Sequence, residues 1–286
     1  MEHEWPLRWD LLQRYRLIEI IALWEGRLTT KHLCDTFGIG RQQASRDINE
    51  YNRSVGPGNL EYDRQLRGYK PAPGFAPAVT TGVADEYLHL LNRDRDLRMR
   101  FDSLPLEPAS NEVLHVPHRK LRPEILRPIV TAAKKQRRIE VEYISLPNPA
   151  REIRVIAPHT LVFTGVRWHV RAYCEKNREY RDFVLSRFRG EPDIMDETPN
   201  PAADDVDWHT RIEVIIKADP RLSAAQKTII EEDYGMVDGV LAIDTRGPLV
   251  QYVMQLLQID PNVLQGKPSA QQIIVDNLEE VRPWLF

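Results

Sequence analysis

Four residues at alternate positions form a cationic and aromatic face within the stretch TLVFTGVRWHVRAYC, residues 160 to 174: Arg167, His169, Arg171 and Tyr173. Side chains of a β-strand alternate between its two faces, so these four share one face. The opposite face is predicted to point into a core and consists of Trp168, Val170, Ala172 and Cys174. Guanidinium groups bind phosphates bidentately, and aromatic rings stack on bases. The pattern predicts a site for an anion, although a solvated sheet surface would show the same alternation.

Charge is distributed unevenly along the 286 residues, whose net charge is -3. Residues 119–190 hold 17 Lys and Arg against 7 Asp and Glu, whereas residues 191–286 hold 7 against 18. Such a change of sign indicates a domain boundary near residue 190 and marks the central segment as the part that binds something anionic. The alternative is that the acidic third neutralises the basic segment in the folded molecule.

Length and composition allow two or three globular domains, since 42% of the residues are hydrophobic. No stretch approaches the ~18 consecutive apolar residues of a membrane span, and the charged N-terminus is unlike a signal peptide, so we expect a cytoplasmic protein. Cys34 and Cys174 are too few for a disulfide framework and suit small buried side chains. The His115 and His118 pair lacks Cys or carboxylate partners at ligand spacing, so we expect neither a metal nor another cofactor.

The first 80 residues have the order of a winged helix-turn-helix domain. Apolar residues recur at helical spacing from Trp9 to Trp24, a second helix ends at Gly38, and a third runs from about Arg41 to Ser54. The segment LEYDRQLRGYK then predicts two short strands joined by a turn. Three helices with a short turn before the third, followed by a basic hairpin, are typical of this DNA-binding class.

The third helix has a polar outer face whose chemistry suits DNA. Gln and Asn pair with adenine and Arg with guanine, while Ser lets a helix approach a phosphate or base edge. The residues predicted to contact DNA lie on this helix and on the hairpin: Arg41, Gln42, Gln43, Ser45, Arg46, Asn49, Arg53, Arg64 and Arg67. A solvent-exposed helix with an arbitrary polar face is the alternative.

A helix from Pro123 and the strand segments that follow it predict a compact, strongly bent antiparallel sheet, a small barrel. Its polar residues come from the strands or their ends and are the candidate ligand-binding set: Tyr143, Ser145, His159, His169, Arg171, Tyr173, Arg181 and Arg187. If the arginines instead form ion pairs with Glu140, Glu142 or Asp182, they hold the barrel together.

The C-terminal third alternates strand, helix, strand and helix and ends in a predicted closing helix over AQQIIVDNLEEVRPWLF. This order fits a ferredoxin-like α+β domain. Its apolar strands and helices are sufficient to form a two-fold interface.

Trp168-His169-Val170, with YRDFVLSRFRG downstream, resembles the signature stretch of WYL-domain regulators, with His and Val where the family has Tyr and Leu. With the winged helix-turn-helix and the C-terminal extension, the chain resembles the WYL transcriptional repressors of bacterial phage-defence islands, the BrxR and CapW type. The resemblance implies an Sm-like barrel and a C-terminal extension, termed WCX, that contributes to homodimers. It also implies an effector pocket lined by Ser145, His159, Arg171 and Arg187, with Tyr143, Tyr173 and Arg181 as further members.

The expected architecture is therefore a multidomain α+β protein. Its parts are a winged helix-turn-helix DNA-binding domain over residues 1–78, a helical linker over 79–118, a WYL effector-sensing domain over 119–200 and a WCX-like dimerisation domain over 201–286.

The leading functional hypothesis is a homodimeric repressor that binds an inverted repeat in double-stranded DNA and senses an anionic ligand, a nucleotide or nucleic-acid fragment. The alternative is an accessory factor whose basic barrel grips RNA or single-stranded DNA without sequence preference. No membrane partner is expected. An enzyme is not expected either, because the sequence has no GxSxG, Walker-type loop or HExxH motif, and arginine clusters without a base or metal bind phosphate rather than cleave it.

Overall fold

The computed structural model describes residues 8–90, 119–260, 267–268 and 270–285. The chain divides into two compact units, Met1–His115 and Val116–Phe286. Among these described residues, one hydrophobic cluster lies in the first unit and two lie in the second.

The described part of the first unit begins with three helices and a hairpin: α1 (Trp9–Glu25), α2 (Thr30–Phe37), α3 (Arg41–Glu50), β1 (Leu60–Asp63) and β2 (Gly68–Pro71). Helices α1 and α2 end at Gly26 and Gly38, whose φ angles of 70° and 64° lie in the left-handed region that favours glycine. Helix α3 continues into a π-helical turn, Tyr51–Val55, so the helical path reaches the predicted Ser54 but its last turn is wider. The predicted order of three helices and a hairpin is confirmed.

A buried carboxylate fixes the segment that follows the hairpin. Glu19 of α1 is completely buried and accepts hydrogen bonds from the Tyr51 hydroxyl (2.8 Å), from the Thr80 hydroxyl (2.6 Å) and from backbone N–H groups of residues 78–80. Because every buried polar atom needs partners, this carboxylate orders residues that lack regular secondary structure. Residues 84–90 are helical; the rest of the predicted linker helix lies outside the described residues.

The second unit begins with a helix and five strands: α4 (Pro123–Lys135), β3 (Arg137–Tyr143), β4 (Glu152–Phe163), β5 (Trp168–Cys174), β6 (Glu179–Val184) and β7 (Phe188–Glu197). The strands form one antiparallel sheet in the order β6-β5-β4-β3-β7. Register shifts between β3 and β7 and between β4 and β5 mark irregularities that bend strands. The apolar face of α4, with Ile125 and Ile129, packs against this sheet.

Both faces of β5 are buried, apart from the exposed Trp168 and the half-buried Tyr173. Val170, Ala172 and Cys174 lie in the core as predicted. The prediction for Trp168 is wrong: this residue is 51% exposed, because it begins the strand beside the hairpin turn and pairs with the exposed Phe163 outside the core cluster. On the other face, His169 and Arg171 are only 1% and 5% exposed, which excludes a solvated sheet surface at these two positions.

The C-terminal part contains α5 (Val206–His209), β8 (Arg211–Ala218), α6 (Ala224–Asp233), β9 (Leu241–Arg246), α7 (Val250–Leu256), β10 (Ile273–Val275) and α8 (Leu278–Val281). Its sheet has the order β10-β8-β9, with antiparallel pairs. The predicted closing helix is wrong at residues 273–275, which pair with β8; the β-branched residues Ile273 and Val275 are buried there. Within the described ranges, none of the helices has both the length and the hydrophobicity that a bilayer crossing requires.

Candidate nucleic-acid interface and ligand site

Helix α3 divides into a buried apolar face and an exposed polar face. Ala44 and Ile48 are fully buried in the core of the first unit. The exposed side chains belong to Arg41, Gln42, Arg46 and Asn49, while those of Gln43 and Ser45 are half-buried. Among the described residues, no hydrogen bond or ion pair engages the side chains of Arg41, Gln42 or Arg46. These three side chains are therefore available to a partner.

Two predicted DNA-contacting residues of this region have intramolecular partners instead. The Gln43 amide donates to Asp47 Oδ1 at 2.6 Å, and Asp47 Oδ2 lies 2.7 Å from Arg14 Nε of α1. Arg53 pairs with Glu50 one turn earlier. These contacts stabilise the helix and its packing. Gln43 and Arg53 are therefore weaker candidates for DNA contact than the residues whose side chains have no such partner.

The hairpin, or wing, is joined to α3 and has a basic tip. The Tyr69 hydroxyl of β2 donates to Asn49 Oδ1 at 3.3 Å, a contact that sequence reasoning missed. Asp63 Oδ1 accepts the N–H groups of residues 65 and 66 and so closes the turn. Arg64 and Arg67 are exposed on this turn, where positive side chains contact phosphates in winged domains.

A basic cavity of about 520 Å³ lies between the wing tip and the starts of α2 and α3. Its cationic lining consists of Arg41 and Arg67, which were predicted, and Arg27 and Lys31, which were not. Arg27 Nε donates to the Leu66 carbonyl at 2.7 Å and thereby holds the tip against the α1–α2 turn. The missed signal was a pair of cations flanking the first turn of α2, where helix N-terminal N–H groups also favour anions.

Two cavities of about 330 Å³ each lie beside β6, and both are lined by Arg181, Asp182 and Arg187. The first, here called the seam cavity, is also lined by Arg167, His169 and Arg171 of the sheet and by Pro248 and Tyr252 of the C-terminal part. The second, the loop cavity, is lined by residues that include Tyr143, Ser145, Arg154 and Lys176. Six of the eight predicted ligand residues thus line one or both cavities; Tyr173 and His159 line neither.

The guanidinium of Arg171 is bound by carboxylates. Its Nε lies 2.8 Å from Asp205 Oδ2 and its Nη2 lies 3.1 Å from Asp205 Oδ1, while its Nη1 lies 3.4 Å from Asp182 Oδ1. The charge of Arg171 is therefore compensated within the chain, as the ion-pair alternative predicted for the arginines. Of the predicted structural partners, Asp182 is confirmed, and Asp205 from the acidic segment was missed.

The carboxylate of Asp205 forms hydrogen bonds with two further residues. His159 Nε2 lies 3.1 Å from its Oδ2, and the Trp208 N–H donates to its Oδ1 at 3.1 Å, so Asp205 also caps α5. Burial alone would raise the pKa of Asp205, but hydrogen bonds from His159 and Arg171 outweigh it and hold that pKa well below its usual range. His159 and Arg171 thus attach the C-terminal segment to the sheet.

Burial and positive neighbours keep His169 neutral. Burial first, and then the charges of Arg167 and Arg187, lower the pKa of His169 to about 4. Its ring lies 5.1 Å from that of Tyr252, and its Nδ1 has no hydrogen-bond partner among the described residues. Buried polar atoms normally have a hydrogen-bond partner, so this nitrogen, whose residue lines the seam cavity, can form a hydrogen bond with a ligand.

The arginines that line the seam cavity differ in whether a carboxylate neutralises their charge. Arg181 pairs with Glu179 at 3.3 Å, and Arg171 is bound as described. For Arg167 and Arg187, the described part of the chain offers no side-chain ion pair or hydrogen bond. These two guanidiniums are the ones free to bind an anion.

Other residues with possible chemistry do not assemble into a site. In the described residues, no group of three or more His, Cys, Asp or Glu side chains is placed to hold a metal ion. The predicted His115 and His118 pair lies outside the described residues. Both cysteines are free thiols; Cys174 is buried and Cys34 half-buried.

Comparison with known proteins gives the same three parts. Residues 10–93 match the BrxR transcriptional regulator winged helix-turn-helix domain, residues 124–190 the WYL domain, and residues 211–281 the BrxR transcriptional regulator C-terminal dimerization domain. The fold and these matches define a WYL-domain transcriptional regulator with a DNA-binding winged helix.

Full-length relatives narrow this class. The DNA-binding transcriptional repressor CapW of Escherichia coli (strain KTE188) is 34% identical over 281 residues, which cover 96% of this chain and 91% of that protein. CapW of Pseudomonas aeruginosa is 31% identical, covering 96% and 92%, and CapW of Stenotrophomonas maltophilia is 29% identical, covering 98% and 93%. The chain belongs to the CapW family of DNA-binding transcriptional repressors, as the resemblance in the sequence predicted.

Proposed function

We propose that the chain is a homodimeric repressor that binds an inverted-repeat operator through α3 and the wing, and that an anionic ligand of the WYL domain controls this binding. The observation that carries the DNA-reading part is the exposed face of α3, where Arg41, Gln42 and Arg46 have no partner among the described residues. The wing contact between Tyr69 and Asn49 supports it by fixing the hairpin beside this face.

The ligand part rests on the seam cavity. Arg167 and Arg187 lie in one cavity with the buried His169, and burial together with the charge of these arginines lowers the pKa of that histidine. An anion between the two guanidiniums would offset this repulsion, and phosphate is the anion that arginine binds bidentately. A nucleotide or nucleic-acid fragment supplies such a phosphate. Control requires that the ligand bind the DNA-competent and DNA-incompetent states with different affinity.

We further infer that the five-stranded sheet closes as an Sm-like barrel and that the C-terminal part is ferredoxin-like. A leading helix, five antiparallel strands and the short 3₁₀ turn Leu185–Arg187 between β6 and β7 support the first. Helices α6 and α7, set between strands of a three-stranded antiparallel sheet, support the second. The domain limits proposed are 1–78, 79–118, 119–200 and 201–286. The site of action proposed is the cytoplasm, in the control of a phage-defence system.

Selection of binding fragments from a pool of random double-stranded DNA tests the function. The proposal predicts a palindromic consensus whose half-sites are spaced by about one helical turn or a multiple of it, and a dimer by light scattering. Binding without sequence preference, or a tighter grip on RNA or single-stranded DNA, would instead favour the accessory-factor alternative. A full-length monomer would contradict the two-fold arrangement.

A further inference from the structure

We propose that the C-terminal domain completes the ligand site: Tyr252 of α7, together with His169, contacts the ligand, and the ligand alters the hydrogen bond that joins Tyr252 to Asp182. The inference rests on the ligand-controlled function proposed above. It assigns ligand contact to a residue of the dimerisation segment, which neither the sequence pattern nor the relatives' names assign.

The seam cavity lies between two domains. Its floor comes from β5, β6 and the turn after β6, within residues that match the WYL domain, whereas Pro248 and Tyr252 belong to the segment that matches the C-terminal dimerization domain. A ligand in this cavity therefore contacts both domains at once. A site at a domain interface is a common position for small-molecule recognition.

Two of the polar contacts between the sheet and the C-terminal segment differ in their relation to the cavity. The first, here called the pivot, is the forked bond from Arg171 to Asp205; Arg171 lines the cavity, but Asp205 does not. The second, here called the latch, is the Tyr252 hydroxyl donating to Asp182 Oδ2 at 3.2 Å, and both of its residues line the cavity. A ligand in the cavity therefore lies beside both residues of the latch, but beside only the arginine of the pivot.

Electrostatics explains how an anion acts on the latch. An anion held by Arg167 and Arg187 lies in the same cavity as the Asp182 carboxylate, so the two negative charges repel each other. Asp182 is already poorly solvated: burial raises its pKa, and Arg171 only partly opposes this effect. The anion therefore favours a protonated or displaced Asp182, and either change weakens the acceptor that holds Tyr252.

The buried ring of His169 indicates what else the ligand carries. Its unpartnered Nδ1 requires a hydrogen-bonding group, and its ring lies against Tyr252 at an angle of 39°. The cavity volume of about 330 Å³ is at the lower end of the range for small-molecule pockets. A single phosphorylated nucleoside unit meets these conditions: a phosphate for the arginines and a polar ring edge for His169.

The test compares Tyr252→Phe with Tyr234→Phe in the full-length protein. The first change keeps the ring beside His169 and removes the hydroxyl of the latch; the second is a matched change in the core of the same domain, away from the seam cavity. Operator affinity is measured by fluorescence anisotropy with and without each of the four ribonucleoside 5′-monophosphates, with inorganic phosphate as the reference anion. Nucleotide binding is measured separately by calorimetry.

The expected result is that a nucleotide shifts the operator affinity of the wild type and of Tyr234→Phe equally, and that Tyr252→Phe loses at least two thirds of this shift while still binding the nucleotide. A wild-type shift in Tyr252→Phe overturns the inference. If none of the nucleotides binds the wild type, the mononucleotide ligand inferred here is wrong, and with it the ligand contact of Tyr252.

The latch is tested without any ligand by amide hydrogen exchange. Tyr252→Phe removes the donor of the latch and keeps the ring, so exchange in residues 248–256 should rise at least threefold over the wild type, with no rise in Tyr234→Phe. Unchanged exchange in Tyr252→Phe overturns the latch even where a nucleotide binds, so its failure is distinguishable from failure of the proposed function.

Discussion

Arg171 of β5 and Asp205 at the start of α5 form a forked ion pair, with N–O distances of 2.8 and 3.1 Å and both side chains almost fully buried. Thirty-four residues separate them along the chain. The pair joins the basic central segment to the acidic C-terminal third at one specific point. It also explains why a strand face that carries arginine is buried rather than solvated.

Removing the carboxylate should destabilise the second unit strongly. Asp205→Ala leaves the Arg171 charge buried and partly uncompensated and removes the α5 cap, so we expect a loss of roughly 3–5 kcal/mol in the free energy of unfolding. Asp204→Ala, at the exposed neighbour, should change it by less than about 0.5 kcal/mol. Urea unfolding monitored by fluorescence measures both. Equal effects of the two substitutions would show that the pair contributes little.

Acid should weaken this attachment. The pKa of Asp205 is lower in the folded chain than in the unfolded one, so its stabilisation is present above the unfolded value, about 3.9, and is lost as the pH falls below it. The difference in stability between wild type and Asp205→Asn should therefore shrink as the pH is lowered through 4. A difference that grows towards acid pH would contradict this sign.

Arg46 and Arg53 offer a matched test of the reading helix. Arg46→Ala removes an exposed guanidinium without a partner in the described chain, and should weaken operator binding by ~1 to 3 kcal/mol. Arg53 is held by Glu50, so Arg53→Ala should cost less. Anisotropy titrations at fixed salt compare them. Unchanged affinity in alanine variants of Gln42, Ser45, Arg46 and Asn49 would exclude α3 as the reading helix.

The wing arginines should act on affinity without acting on sequence choice. Arg64 and Arg67 are exposed on the turn, and loss of either phosphate contact should reduce the slope of log K against log salt by about 1. Titrations over a range of potassium chloride concentrations, on the selected operator and on a scrambled sequence, measure this slope. A change in base preference with an unchanged slope would instead assign these residues to base contact.

His169 should report the occupied seam cavity. Its pKa of about 4 results from burial and from Arg167 and Arg187; a bound anion offsets the two positive charges and so raises that pKa. By linkage, anion affinity should increase as the pH falls towards the raised value. Ring proton signals in an NMR titration of the protein with and without nucleotide monophosphate measure it, with the exposed His209 as the reference. If a nucleotide binds and the pKa of His169 does not change, the nucleotide does not occupy the seam cavity.

The sequence predicted the first unit well because its signals are local. Left-handed glycines end α1 and α2, and the apolar spacing of Ala44, Ile48 and Tyr51 orients α3. It predicted the closing helix wrongly, because the pairing of β10 with β8 depends on a strand about sixty residues earlier. Periodicity within a short apolar segment such as Ile273–Val275 carries no information about such a partner.

The candidate sites divide in the same way. Strand alternation placed His169 and Arg171 on one face, but only tertiary packing decides that Arg171 meets Asp205 and Asp182 while Arg187 meets neither. Likewise, the sequence placed both Gln43 and Arg46 among the predicted DNA contacts, but the structure shows that Gln43 instead donates to Asp47, which also pairs with Arg14 of α1. Sequence reasoning gave the residue types of both sites; contacts between distant segments decide which side chains remain available.

The carboxylate of Glu19 ties the segment after the wing rigidly to the end of α3. It holds the hydroxyl of Tyr51, the residue directly after α3, and the N–H groups of residues 78–80 on the same two oxygen atoms. A force applied at residues 78–80 is therefore transmitted through one side chain to the residue that follows α3. These three residues after the wing do not act as a slack tether, because their position is fixed relative to the end of α3.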